Sequence, residues 1–312
     1  MLRSTRTVWF LVVACGCGHG SADSPELKAM LKQADEKVAA AAVDDAIQIL
    51  TKAARQFPTA NEPLVALANA YAKSGRDNDA VSVLDQLSKV APADWRAPLG
   101  RAMIYSRRNQ YATAVNEFES ALKLGAPEDG CRLELAIALG RTNEYQRAIA
   151  LFTKEILAGG ADRTTAMFNR AIALRAQKDY AAAREDLLAV LAQSPEHVGA
   201  LRVAAELFLV DDPAIKDLRR ALEMATRIRD LDPKDAYALR VAAQAYYENG
   251  DPETAMRLVD KGLDLASPVD RREMQQEYLR YKFEAGPQAS PPASEVKAPQ
   301  AGAKSGGTSR SD

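Results

Sequence analysis

Few residues in this sequence are of the types that carry out enzyme chemistry. The chain has two histidines, His19 and His197, and three cysteines, of which Cys131 stands alone in a predicted helix as a small buried hydrophobic residue. Two distant histidines cannot supply a histidine-based catalytic triad or a multi-histidine metal site. No phosphate-binding glycine loop occurs either. The sequence therefore predicts a protein without enzymatic activity, cofactor or metal.

The cysteine best placed for modification is Cys15, which ends an apolar run near the start of the chain. Arg3 and Arg6 precede this run, which has the basic start and short apolar stretch of a secretory signal and is too short to span a bilayer. The segment 12–15, Val-Val-Ala-Cys, resembles the lipobox of bacterial lipoproteins. The resemblance implies a signal peptide over residues 1–14, cleavage before Cys15 and diacylation of that cysteine.

A second cleavage site leaves an alternative open. Gly20, Ser21 and Ala22 suit an ordinary signal peptidase, and cleavage after Ala22 would leave a soluble periplasmic or secreted protein. With lipidation, Gly16 stands where an aspartate would retain an enterobacterial lipoprotein in the inner membrane, so the outer membrane is favoured. Residues 15–25 are small and polar and are then predicted to form a flexible tether.

Charge and composition narrow the classes of partner. The chain carries 41 basic and 42 acidic residues, so it lacks the bulk positive charge that attracts nucleic acid. Aromatic residues are only 6% of the chain and alanine is abundant, which favours closely packed helices. Residues 285–312 are rich in Pro, Ala, Ser and Gly and are predicted to form a disordered tail.

Two series of alanines recur along the chain with a nearly constant period. The intervals in the later series are 34, 34, 34, 35, 38 and 34 residues, for Ala46, Ala80, Ala114, Ala148, Ala183, Ala221 and Ala255. An earlier series begins at Ala34 and runs 12 residues ahead, except in the sixth unit, where the offset is 16. Large apolar residues follow most of the later alanines by four positions, on the same helical face. This periodicity predicts one helical hairpin repeated seven times in a solenoid.

Turn and stop signals separate the predicted helices. Gly75 and Gly250 predict a left-handed residue at the end of a first helix. Prolines lie where the second helix of a unit should end, at Pro58, Pro92, Pro127, Pro195, Pro233 and Pro268. The period, the paired helices, the small packing residues and the closing prolines are together similar to the tetratricopeptide repeat. The resemblance implies an all-α fold, an α-solenoid of about seven helix hairpins over residues 26–284 that includes a C-terminal capping helix.

Two units depart from the pattern. In the first, Gln33 and Lys37 replace the expected apolar and aromatic residues, which predicts an N-terminal capping helix. The sixth carries four extra residues near 209–213, which should lengthen a helix or its turn.

The first helices of tetratricopeptide arrays line a concave groove, and the resemblance implies a binding role for them here. Arg107 and Arg141 lie at equivalent positions one period apart, as do Arg202 and Arg240, so arginines and aliphatic residues could together hold an acidic, partly apolar segment. Alternatively, these arginines solubilise the face or pair with neighbouring acids such as Glu206. The candidate partner-binding residues are Arg96, Leu99, Met103, Arg107, Leu133, Ile137, Arg141, Phe168, Ile172, Arg175, Arg202, Arg240 and Tyr247.

These features predict a lipid-anchored adaptor that binds other cell-envelope proteins and helps to assemble an outer-membrane, secretion or pilus machine. That choice of machine rests on analogy with similar repeat lipoproteins. The alternative is a soluble periplasmic or secreted carrier that holds a peptide or small ligand in its groove.

Overall fold

The computed structural model describes residues 24–284, and within that range every regular element is an α-helix. The fifteen helices form seven consecutive pairs and a final helix, as predicted. Their bounds are α1 Pro25–Ala39, α2 Val43–Gln56, α3 Glu62–Lys73, α4 Asp77–Val90, α5 Arg96–Arg107, α6 Tyr111–Lys123, α7 Glu128–Arg141, α8 Tyr145–Ala158, α9 Arg163–Ala176, α10 Tyr180–Gln193, α11 Val198–Leu207, α12 Leu218–Leu231, α13 Ala236–Glu248, α14 Pro252–Leu263 and α15 Pro268–Glu284.

Several predicted segments lie outside the described residues: the signal peptide (1–14), Cys15, residues 16–23 of the tether, and the tail (285–312). Helix α1 begins at Pro25, a residue that the sequence analysis assigned to the tether. Proline suits this position because the first helical residue needs no amide hydrogen bond. Between residues 24 and 284, no helix is both long and apolar enough to cross a membrane.

The chain divides into two compact units, the first ending at Leu151 and the second beginning at Phe152, inside α8. In the first unit the alanines of both series are buried where paired helices approach each other. Leu50, Leu84 and Phe118 follow the second-helix alanines by four positions and are also buried. Burial of each such side chain contributes about 1.5–3 kcal/mol, so these positions supply much of the core energy.

The second unit repeats this packing with one weaker position. Phe152, Leu187 and Val259 are fully buried fillers, as the spacing predicts. The corresponding residue of the sixth hairpin is the small Ala225, and Met224 and Ile228 on the same helix are buried beside it. Larger apolar residues of the same helix therefore contribute to the core beside this alanine.

A left-handed residue ends the first helix of most hairpins. Gly75 and Gly250 have positive φ angles of 76° and 84°, as predicted. Non-glycine residues take this conformation in four other hairpins, at Ala41, Asn109, Asn143 and Lys178. Asparagine tolerates it comparatively well, whereas alanine and lysine do so at a steric cost.

The extra residues of the sixth unit lengthen its turn and not its helices. Helix α11 is only 10 residues long, and the chain then runs from Phe208 to Asp217 before α12 begins. Phe208, Leu209 and Ile215 are buried, and the amide of Asp217 donates a 2.9 Å hydrogen bond to the carbonyl of Phe208. Apolar anchors and this closing bond therefore order the insertion.

The final helix covers the last hairpin, as the sequence predicted. Helix α15 packs against α13 and α14, and its Met274 and Tyr281 are fully buried. Met274 fills the space that Gly262 leaves on α14, because a Cβ atom there would lie 2.3 Å from the methionine Cε. A small residue on α14 thus allows the two helices to pack closely.

Candidate partner-binding surfaces

The first unit keeps part of its predicted binding face accessible. Met103 and Ile137 are half-buried, on α5 and α7 respectively. The expectation that Leu99 and Leu133 also line a groove is corrected, because each is only 6% exposed. These leucines lie three positions before the first-helix alanines and share their packed face, whereas Met103 and Ile137 follow the alanines directly.

The basic residues at the ends of α5 and α7 have few acidic partners. Arg107 pairs with Asp77, yet its side chain remains 51% exposed. Arg108 also pairs with Asp77, at 3.2 Å between Nε and Oδ2, so two guanidinium groups share one carboxylate. Arg141 is exposed and forms no salt bridge within the part of the chain that the structure describes. A positive surface remains beside Met103 and Ile137.

Arg96 differs from these two arginines because it is held at the start of its own helix. Its Nε lies 2.8 Å from Oδ1 of Asp94, which also accepts a hydrogen bond from the Arg96 backbone amide. Burial alone would raise the pKa of Asp94, but hydrogen bonds from Arg96 and Asn61 outweigh it and hold that pKa below its usual value. Arg96 therefore serves mainly to fix the entry into α5.

In the second unit, the predicted arginines pair with carboxylates supplied by a neighbouring hairpin or by α15. Arg175 on α9 pairs with Glu206 on α11, and Arg202 on α11 pairs with Asp235 before α13. Arg240 on α13 reaches Glu277 on α15 at 3.3 Å. The sequence left open whether these arginines pair with neighbouring acids such as Glu206. All three do so in the structure.

Tyr237 links two of these ion pairs. The Cζ atoms of Arg202 and Arg240 lie 4.7 and 5.3 Å from the centre of its ring. Its hydroxyl donates a 2.9 Å hydrogen bond to the backbone carbonyl of Arg202, and burial together with nearby Glu206 raises its pKa. These cation–π contacts occupy the faces of both guanidinium groups, while the ion pairs occupy their N–H groups.

Aromatic contacts occupy the remaining predicted residues of this unit. The ring of Phe168 lies 4.8 Å from that of His197, while Ile172 is half-buried. Tyr247 stacks on Tyr281 with ring centres 4.3 Å apart, and its hydroxyl donates to Glu284 at 2.6 Å. The structure thus places Phe168 and Tyr247 in contacts within the chain, and the binding role of all three residues remains a prediction.

Two models of the tetratricopeptide repeat match the sequence, one over residues 37–99 and 215–271 and the other over residues 133–209. Together these matches cover more than half of the chain. The protein belongs to the tetratricopeptide repeat family. No curated protein gives a significant match to it.

Several solved structures have folds similar to that of this chain. The C-terminal part of a tetratricopeptide repeat protein from Cytophaga hutchinsonii is 16% identical with a TM-score of 0.60, covering 79% of this chain and 98% of that one. PilW, a type IV pilus biogenesis factor, is 21% identical with a TM-score of 0.56, covering 70% and 98%. A repeat protein from Parabacteroides merdae is 14% identical with a TM-score of 0.55, covering 83% and 100%. At these identities the likeness concerns the fold alone.

Two partly buried arginines of the tetratricopeptide hairpins were not recognised in the sequence. Arg101 donates to Glu117 at 3.0 and 2.9 Å, and Arg170 donates to Asp186 at 2.8 and 2.7 Å. Each arginine directly precedes a first-helix alanine, and its acid follows 16 residues later on the second helix of the same hairpin. This shared offset could have identified both pairs. They join the two helices of a repeat, and each also donates to the second helix of the preceding hairpin, Arg101 to Ser88 at 2.9 Å and Arg170 to Thr153 at 3.0 Å.

The chemistry of the described repeats does not indicate a reactive centre. Burial raises the pKa of the Cys131 thiol to about 11, so the thiol is protonated at neutral pH. Its Sγ lies 3.6 Å from the carbonyl oxygen of Pro127, and the residue is buried. Across residues 24–284, no group of three or more His, Cys, Asp or Glu side chains could hold a metal ion.

Proposed function

We propose that this protein is a non-enzymatic, lipid-anchored adaptor of a bacterial envelope that binds segments of other envelope proteins through the first helices of its repeats. Membership of the tetratricopeptide repeat family supports a role in protein interaction. The likeness in fold to PilW, a type IV pilus biogenesis factor, is consistent with service in an envelope assembly machine. The lipobox-like segment ending at Cys15 motivates the anchor and an outer-membrane location.

The observation that carries this proposal is the surface formed by Met103, Arg107, Ile137 and Arg141 in the first unit. Two half-buried apolar side chains lie on α5 and α7, and an exposed arginine ends each helix. One of these arginines shares its carboxylate with Arg108, and the other has no salt-bridge partner in the described range. This surface therefore retains charge and apolar area that a ligand can use.

These side chains define the chemistry of the partner. A guanidinium group binds a carboxylate through two parallel hydrogen bonds, which fixes orientation as well as charge. Met103 is unbranched and adapts to apolar side chains of different shapes. The preferred ligand is a protein segment in which acidic residues flank apolar anchors.

Charge reversal tests the binding surface directly. The double variant Arg107→Glu/Arg141→Glu should lose capture of proteins that co-purify with the wild type from membranes. A matched control is Arg219→Glu/Lys261→Glu, which makes the same change in net charge on second helices α12 and α14. Equal capture by the wild type and both variants would contradict the proposal.

Fractionation of a Cys15→Ala variant tests the anchor separately. We expect the wild type in the membrane fraction and the variant in the soluble fraction, because two or three acyl chains give durable attachment. A soluble wild type would instead favour the carrier of a peptide or small ligand. Retention of the variant in the membrane would contradict anchoring through this cysteine.

A further inference from the structure

Helix α15 exposes an apolar stripe on the side opposite its packed face. Met274 and Tyr281 are buried against α13 and α14, whereas Val269, Leu279 and Phe283 are 72, 50 and 77% exposed. A helix turns by roughly 100° per residue, so positions 269, 276 and 283 recur along one face with Leu279 beside them. The stripe consists of Val269 near the start of the helix and Leu279 and Phe283 near its end, with the exposed polar residues Arg272 and Gln276 between them.

This stripe is unusual for the last helix of a repeat array. A terminal repeat needs a polar outer face to remain soluble, because no further repeat covers it. Here an exposed phenylalanine and two aliphatic residues share that outer face. Exposed apolar side chains that share one face of a helix and are rimmed by polar residues indicate an interaction surface.

Two opposite charges flank the stripe on one side. Glu273 and Arg280 are seven residues apart, so they lie on the same edge of α15. Neither forms a salt bridge with any residue between 24 and 284, although the Cζ of Arg280 lies 5.2 Å from the ring centre of Tyr281. A shallow surface depression lies between them, lined by Glu273, Gln276, Glu277 and Arg280.

We propose that α15 is the interface of a homodimer, in which it packs antiparallel to α15 of a second copy around a two-fold axis near Gln276. A two-fold axis reverses the order of residues, so Val269 approaches the partner's Phe283 at each end. Glu273 then faces the partner's Arg280, and the same pair forms a second time by symmetry.

The charges on α15 favour an antiparallel over a parallel arrangement of the two copies. In a parallel pair, Glu273 would face the partner's Glu273 and Arg280 would face the partner's Arg280, which is repulsive at both places. The antiparallel arrangement turns both contacts into ion pairs, and such complementarity fixes the register of an interface. This dimer interface is separate from the proposed partner-binding surface on α5 and α7.

Cysteine cross-linking in the full chain tests the two-fold axis. Gln276→Cys should give a disulfide-linked dimer on oxidation, with position 276 identified in the linked peptides by mass. The matched control is Gln275→Cys, an exposed glutamine next to it that points about 100° away around the helix. We expect at least fivefold less cross-linked dimer from position 275. The chain without an introduced cysteine is treated in the same way, to show how much dimer its natural cysteines form.

Charge exchange tests the predicted ion pairs in the Gln276→Cys background. Glu273→Arg and Arg280→Glu should each reduce the cross-linked dimer severalfold, whereas the double variant Glu273→Arg/Arg280→Glu should restore it. Failure of the double variant to restore cross-linking would overturn the antiparallel register. Equal cross-linking from positions 275 and 276, or none from either, would overturn the interface.

Other occupants of the stripe give distinct results. If the cysteine at position 276 is cross-linked to a protein of different mass, the stripe binds a different protein and not a second copy of this chain. If the thiol introduced by Gln276→Cys reacts with a maleimide only after residues 285–312 are removed, the chain's own C-terminal segment covers the stripe. Either result would overturn the homodimer.

Discussion

The first helices of the two units both carry arginines, at different positions relative to the packed alanine, and use them differently. In the second unit Arg175, Arg202 and Arg240 each pair with a carboxylate, on a neighbouring hairpin or on α15. In the first unit Arg107 shares Asp77 with Arg108, and Arg141 has no salt-bridge partner within residues 24–284. Arginines therefore stabilise contacts between helices in the second unit, whereas in the first unit they remain available to a ligand.

The difference arises from the residues that lie about one repeat further along the chain. Glu206 follows Arg175 by 31 residues and Asp235 follows Arg202 by 33. At the same distances after Arg107 the sequence has Ala138, Leu139 and Gly140, which carry no charge. A repeat array can thus keep or neutralise a binding arginine through substitutions in the next repeat.

The largest expected effect concerns the pair of the partly buried Arg170 and the buried Asp186 in the second unit. Arg170→Leu should lower the free energy of unfolding by about 3–5 kcal/mol, because it leaves the buried carboxylate of Asp186 without its bidentate partner. Urea denaturation followed by circular dichroism measures this loss. The double variant Arg170→Leu/Asp186→Leu is the control and should recover most of it, since no buried charge remains. A small loss in the single variant would contradict a cohesive role for this arginine.

The sequence was sufficient to predict the hairpins and their packed alanines because these depend on spacing within a single repeat. It also placed the glycine turns at Gly75 and Gly250 correctly. The exposure of individual first-helix residues was harder to predict, and Leu99 and Leu133 were wrongly assigned to an open groove. Their burial depends on how closely adjacent helices pack, which periodicity alone does not specify.

The pairing of the arginines depends on contacts between repeats and could be predicted only in part. Glu206 was recognised as a possible partner, whereas Asp77, Asp235 and Glu277 became apparent only from the structure. The left-handed backbone conformation of Asn109, Asn143 and Lys178 was not predicted. No glycine marks these positions, so the strongest local signal for positive φ was missing.

The pH dependence of stability should differ in sign between Asp94 in the first unit and Glu277 in the second. The pKa of Asp94 is lowered by hydrogen bonds despite burial, so its ionised form stabilises the fold above about pH 4 and this contribution is lost as the pH falls through the folded-state pKa. The pKa of Glu277 is raised, chiefly by burial, so its contribution is fully present below about pH 4.3 and is lost as the pH rises through the folded-state pKa.

Two isosteric variants measure these opposite effects. Asp94→Asn should cost about 1 kcal/mol at pH 7, with the loss vanishing at low pH, because a charged hydrogen-bond acceptor is replaced by a neutral one. Glu277→Gln should gain stability relative to the wild type as the pH rises from 4 to 7. Urea midpoints at several pH values provide the test. If both variants respond to pH in the same direction, the two acids do not differ as described.

A smaller effect should follow from exchanging residues at the left-handed turns. Lys178 in the second unit has a φ of 64°, so Lys178→Gly should stabilise the protein by about 1 kcal/mol through relief of backbone strain. The reciprocal variant in the first unit, Gly75→Ala, should destabilise it by a similar amount, because its φ is 76° and nothing lies close enough to compensate. Thermal unfolding of both variants measures the shifts. A loss of stability in Lys178→Gly would mean that the lysine side chain contributes more than its backbone strain costs.

The smallest expected effect gives the closest comparison of the two binding faces. Arg141→Ala should change the free energy of unfolding by less than about 0.5 kcal/mol, because this exposed side chain has no salt bridge to lose among the described residues. Arg175→Ala in the second unit should cost about 0.5–1 kcal/mol, since it removes a partly exposed pair with Glu206. Capture of partners should show the reverse order, with a larger loss for Arg141→Ala. If Arg175→Ala weakens capture more, paired arginines also bind ligands, and the availability of a guanidinium group does not distinguish the two units.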